Sequence, residues 1–265
     1  MFEMGKTTDS DYRVDGVLYC GKCHTPKECE ITLKGRKRKV ACACDCEAKR
    51  ASKENALIEK ERNIRKITRL KSLGFYDARF QSWTFENDDQ KNKRLSEIAR
   101  NYAKNFDDMK KDHKGLIFYG ENGTGKSYIS ACIVNELIRK GVPCMMTNFS
   151  RISHELWKAE DKQAVYEKLN RNDLLVIDDF TAERQSDYMS EIVFNVIDER
   201  YRAGLPLIVT TNLSTNDFAR SGDISKDRIT SRLAEMCVFV KASVGDRRIQ
   251  KMKEDRGKLK EVLGL

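Results

Sequence analysis

No run of apolar residues in this chain approaches the roughly 20 needed to cross a bilayer as a helix, so the sequence holds no candidate for such a span. The first residues, Met1, Phe2, Glu3, Met4, Gly5 and Lys6, have none of the apolar core that a secretory signal requires. Internal repeats and low-complexity stretches are also missing, which argues against a solenoid or a disordered linker protein. These absences lead us to expect a cytoplasmic protein without a membrane partner. Disulfides are rare in that compartment, so the nine cysteines call for another explanation.

The charge is also unevenly spread. Residues 31–71 carry 14 Lys or Arg against 5 Asp or Glu, a net of +9 that equals the value for the whole 265-residue chain. The remainder is therefore close to neutral. A basic block of this kind suits a polyanionic partner, nucleic acid first among them. A solvated basic helix face is the competing reading.

One stretch organises the rest: Gly120, Glu121, Asn122, Gly123, Thr124, Gly125, Lys126 and Ser127. The apolar residues 116–119 precede it and a helix-like stretch beginning at Tyr128 follows. Strand, glycine-rich loop and helix form the context a phosphate-binding loop needs. Glycines let successive backbone N–H groups turn inward around a phosphate, and the helix N-terminus adds partial positive charge. A lysine at position 126 can reach β- and γ-phosphates, and a serine at 127 can ligate Mg²⁺. This reading makes the loop a nucleotide site.

Six of the nine cysteines fall in one short segment: Cys20, Cys23, Cys29, Cys42, Cys44 and Cys46. Cys20 and Cys23 form a C-x₂-C knuckle. Cys42, Cys44 and Cys46 follow a basic hairpin over residues 32–40. Tetrahedral zinc takes four ligands, and Cys20, Cys23, Cys44 and Cys46 are the first choice. Cys42 is the main substitute; Cys29 and His24 rank lower, and a redox switch among the surplus thiols is a further reading. A segment this short has little core of its own, so the metal would supply its folding energy.

Residues 47–73 read as a charged helix with a thin stripe of Leu57, Ile64, Ile67 and Leu70, ended by Gly74. It would be a linker or a docking helix for a partner. Phe75, Tyr76, Phe80, Trp83 and Phe85 make an aromatic lead-in, read as core in preference to an adenine platform. Residues 87–112 read as one helix, 142–149 as a buried strand and 150–169 as one helix capped by Ser150.

Next, Leu174, Leu175, Val176 and Ile177 run into Asp178 and Asp179. An apolar run ending in acids describes a buried parallel strand that delivers carboxylates at its C-terminal edge, where doubly wound sheets bind ligands. Asp178 is placed to hold Mg²⁺ and Asp179 to orient or deprotonate a water. Residues 186–202 read as a helix and 205–212 as another buried strand, tipped by Asn212, which would bond the water or the γ-phosphate. Arg228, Arg232, Arg247 and Arg248 close the series as candidates for γ-phosphate recognition. Alternating helices and apolar strands argue for a parallel α/β sheet.

With these motifs in order, residues 75–248 resemble the AAA+ ATPases, and within them the DnaC/DnaI-type helicase loaders and their relative IstB. The phrases Ile197-Asp-Glu-Arg-Tyr, Ile208-Val-Thr-Thr-Asn-Leu and Ser231-Arg-Leu are similar to that clade. The cysteine module is similar to the zinc-binding N-terminal domains of some loaders, phage-type ones especially. The resemblance implies an α/β AAA+ P-loop fold with a five-stranded parallel sheet flanked by helices, over residues 75–265. A zinc module (residues 1–46) and a linker helix (47–74) precede it.

By the same resemblance Gly120 to Tyr128 and Asp178 bind ATP and Mg²⁺. Lys126, Asp179, Asn212, Arg232 and Arg248 serve turnover: Asn212 matches sensor 1, Arg232 an arginine finger acting on a neighbouring subunit, and Arg248 sensor 2. Two departures stand out. The second Walker B acid is usually Glu, and Asp179 is one methylene shorter. Arg247 occupies a position where the clade often has Tyr, which leaves the choice between Arg247 and Arg248 open. The implied activity is ATP-dependent loading of a replicative helicase onto single-stranded DNA by a self-associating ATPase, slow as a monomer. The alternatives are an IstB-like ATPase assisting a transposase, and an ATP-binding adaptor with negligible hydrolysis.

Overall fold

The structure, a computed structural model, describes residues 7–33, 35–180, 187–218 and 224–243. The chain divides into two compact units, Met1–Arg65 and Lys66–Leu265.

The first unit is built from two antiparallel hairpins and the start of a long helix. β1 (Tyr12–Val14) pairs with β2 (Val17–Tyr19) across Asp15 and Gly16. Both turn residues have positive φ, 49° and 74°, the conformation a two-residue Asp-Gly hairpin favours. β3 (Glu28–Leu33) pairs with β4 (Arg36–Ala41), and α1 (Asp45–Gly74) follows. Little apolar surface is buried: among the described residues of this unit, Leu18, Cys20 and Cys44 are the buried apolar groups. The centre instead holds Lys27, whose ammonium lies 3.0 Å from Asp11 and 3.2 Å from Glu47. On α1, Leu57 and Ile64 are exposed, whereas Ile67 and Leu70 pack into the core of the second unit.

The second unit is a parallel sheet with helices on both faces. Its strands are β5 (Gly115–Tyr119), β6 (Cys144–Thr147), β7 (Leu174–Phe180), β8 (Leu207–Thr211) and β9 (Cys237–Lys241). They run in the order β6-β7-β8-β5-β9, every neighbour parallel. Side chains alternate between two cores. Leu116, Phe118, Val176 and Ile208 face α2 (Lys93–Lys104) and α4 (Lys126–Arg139), and Ile117, Leu175, Ile177 and Val209 face α7 (Asp187–Arg202) and α8 (Ile224–Met236). Burial on both faces is why the inner strands β5, β7 and β8 carry unbroken apolar runs.

Two helices expected from periodicity are each divided. Residues 87–112 give α2 and α3 (Phe106–Lys111), with Asn92 accepting from the Leu95 N–H at 3.1 Å to start α2 late. The preceding residues are drawn into local turns, where Asp88 and Asp89 accept from the backbone of Gln90 and Lys91. Residues 150–169 give α5 (Phe149–Lys158) and α6 (Lys162–Asn170). Ser150 is not the cap. Asn148 accepts from Arg151 N–H at 2.9 Å, and Asp161 caps α6 through the N–H groups of Gln163 and Ala164. Phe149 accordingly belongs to the helix, and the strand ends at Thr147. No helix among the described residues is long and apolar enough to cross a membrane.

Candidate nucleotide site and metal centre

The loop between β5 and α4 is folded as a phosphate cradle requires. Gly120, Gly123 and Gly125 have φ of 136°, 76° and 93°, all in the region that favours glycine. A Cβ at Gly120 would also sit 2.5 Å from the carbonyl oxygen of Ala242. Thr124 Oγ1 donates to the Glu121 carbonyl at 2.9 Å. Lys126, buried at the start of α4, donates its ammonium to the carbonyls of Gly120 and Glu121, both at 2.7 Å, and to Asn212 Oδ1 at 2.9 Å. The loop lysine and the tip of β8, read separately from the sequence, thus meet directly. Ser127 is half-buried beside Lys126. Tyr128 turns away from the loop: its ring packs 5.5 Å from Trp83 and its hydroxyl donates to the Thr84 carbonyl. Phe80 and Phe85 are buried in the same core cluster.

β7 delivers its two acids in different states. Asp178 is 5% exposed. Its Oδ1 accepts from Thr210 Oγ1 at 2.7 Å and its Oδ2 from the Tyr76 hydroxyl at 3.0 Å. Burial, reinforced by the Asp178 charge, pushes the Tyr76 phenol well above its usual range, so it remains a donor. Asp179 is exposed and sits in the left-handed region at φ 56°. Its N–H donates to Thr210 Oγ1 at 2.9 Å, and the pairing with β8 shifts register between Ile177 and Phe180. That irregularity re-aims the carboxylate, as strand bulges do beside functional sites. Tyr76 and Thr210 were not legible as site residues, because no local spacing links them to position 178.

Arg232 lies on α8, where its guanidinium is 2.6 Å from Asp198 and stacks over Phe194 and Tyr201 at 4.8 and 5.7 Å from the ring centres. Within one chain it is therefore spent on α7. Arg247 and Arg248 lie outside the described residues.

In the first unit the thiols of Cys20, Cys23, Cys44 and Cys46 all lie within 4.8 Å of one another. Cys46 Sγ is 3.5 Å from Cys20 Sγ and 3.3 Å from Cys44 Sγ. Four sulfurs at tetrahedral zinc distances would stand about 3.8 Å apart, so the set fits such an ion in chemistry and spacing. The Thr25 hydroxyl holds the Cys23 thiol down to about 5, and burial pushes Cys44 up to about 12. The weaker candidates point elsewhere: Cys42 Sγ contacts the Pro26 carbonyl, Cys29 is exposed, and His24 Nδ1 is 3.0 Å from the Tyr12 hydroxyl.

The sequence matches the family model described as IstB-like ATP binding protein over residues 46–254. That span is well over half of the chain. The chain belongs to the IstB-like ATP-binding family. Its relatives include the replicative helicase loader DnaI of Bacillus subtilis (strain 168), 29% identical over 140 residues, covering 49% of this chain and 45% of DnaI. The replicative helicase loader DnaC of Escherichia coli (strain K12) is 27% identical over 176 residues, 63% of this chain and 70% of DnaC. The phage-like element PBSX protein XkdC of Bacillus subtilis (strain 168) is 24% identical, covering 69% of this chain and 73% of XkdC. This chain thus spans less than half the length of DnaI. Among solved structures, DnaI superposes with a TM-score of 0.57 at 20% identity, covering 68% of this chain and 99% of that one. The DnaC helicase loader superposes with a TM-score of 0.52 at 24% identity, covering 62% of this chain and 99% of that one. The fold is the AAA+ arrangement that the motif order implies.

Proposed function

We propose that this protein is an ATP-dependent loader of a replicative DNA helicase onto single-stranded DNA. The observation that carries the proposal is the bond from the loop lysine Lys126 to Asn212 at the tip of β8, the strand whose Thr210 also holds Asp178, in a chain whose relatives are named as helicase loaders. Lys126 trades loop carbonyls for phosphate oxygens when nucleotide enters, and Ser127 and Asp178 hold Mg²⁺, which supplies charge neutralisation at the β- and γ-phosphates. Asp179 orients the attacking water and Asn212 the γ-phosphate. Arg232 leaves Asp198 to complete the site of a neighbouring copy, and Arg248 serves as sensor. Cys20, Cys23, Cys44 and Cys46 hold one structural Zn²⁺ that folds a helicase-gripping module.

Transfer of a replicative helicase onto a single-stranded DNA circle tests this reading. The protein with ATP is expected to stimulate transfer, and Lys126→Ala to abolish it. An adaptor with negligible hydrolysis draws support from Asp179, whose carboxylate is short and set on left-handed backbone. ATPase activity stimulated by single-stranded DNA or assembly separates the loader from the adaptor.

A further inference from the structure

We propose that Tyr76 is a positioning residue of the nucleotide site, fixing the orientation of the Asp178 carboxylate for Mg²⁺. Its hydroxyl and that of Thr210 take opposite oxygens of Asp178, at 3.0 and 2.7 Å. A carboxylate held at both oxygens cannot rotate about its terminal bond without breaking a hydrogen bond, yet each oxygen keeps a further lone pair. Second-sphere donors of this kind set the orientation of a metal-binding carboxylate.

Tyr76 is itself held from three directions. Its N–H donates to the Met146 carbonyl at 3.2 Å, extending the sheet edge beside β6. Arg151 donates to its carbonyl at 3.2 Å and lies over its ring at 5.7 Å. The ring packs edge-on against Phe80 at 4.9 Å. The aromatic lead-in is therefore part of the site as well as of the core: it carries a polar hydroxyl to a carboxylate 102 residues away. Thr210 does the same from β8 while accepting from the Asp179 N–H, so both acids of β7 share one fixed network.

The inference rests on Asp178 holding Mg²⁺. Binding of N-methylanthraniloyl-ATP to the full chain, followed by fluorescence anisotropy across a Mg²⁺ titration and in EDTA, tests both. Tyr76→Phe should raise the Mg²⁺ concentration at half-effect about tenfold while leaving affinity in EDTA unchanged. The shift should vanish in an Asp178→Asn background. Should Tyr76→Phe unfold, Thr210→Val removes the other donor and is expected to shift the same midpoint upward. A Mg²⁺-dependent wild type whose midpoint is unmoved or lowered by the substitution would overturn the role of Tyr76 alone. A wild type indifferent to Mg²⁺ would remove the reading of Asp178 and this one with it.

Discussion

Asp179 places an acid where the backbone would accept glycine most easily. Left-handed geometry at a non-glycine residue costs about 1–2 kcal/mol, and here it re-aims an exposed carboxylate at the edge of the sheet. Asp179→Gly is expected to raise stability by about 1 kcal/mol in urea unfolding, retain ATP binding and abolish turnover. Loss of stability together with binding would contradict that assignment. Arg232 illustrates a second residue-scale tension: Asp198, a carboxylate it shares with Arg202, holds its guanidinium in its own chain, and it must leave that pair to reach a neighbour's phosphate. Arg232→Ala should leave ATP binding intact and remove assembly-stimulated turnover; equal loss of both would argue for a purely structural role. The phosphate loop, the acids of β7 and Asn212 were legible because each is a local pattern at the end of an apolar run. Tyr76 and Thr210 were not, since their partner is fixed by strand order rather than by spacing.

At the scale of elements, the strands were legible because a sheet covered on both faces writes itself as unbroken apolar runs. Helix ends were less so. Asn92, Asn148 and Asp161 stop or start helices through side-chain acceptance of backbone N–H groups, and apolar periodicity alone does not register that competition. One device beneath the sheet has no periodic signature at all. Arg200 is fully buried on α7 and donates to the carbonyls of Asn172, Asp173 and Pro206, tying the entrances of β7 and β8 together. Arg200→Met would strand those acceptors and should cost about 3 kcal/mol by chemical denaturation, far from the nucleotide loop. In the first unit the four clustered thiols replace a hydrophobic core. Elemental analysis is expected to give one zinc per chain, lost in Cys44→Ser and kept in Cys42→Ser. Retention of zinc by Cys44→Ser would reassign the ligands.

For the whole molecule, the fold and the nucleotide loop follow from family membership and geometry, while the task they serve depends on what the protein engages. The proposed loading role joins a thiol-centred unit, a basic block over residues 31–71 and a nucleotide-binding unit in one chain. The most direct test is affinity isolation from the source cell's lysate with the full chain, wild type and Lys126→Ala, in ATP and in ADP, with captured proteins identified by mass spectrometry. The account predicts a replicative helicase hexamer bound to the wild type, its retention depending on nucleotide and altered in Lys126→Ala. Recovery of a transposase, or of no helicase in either nucleotide, would contradict it.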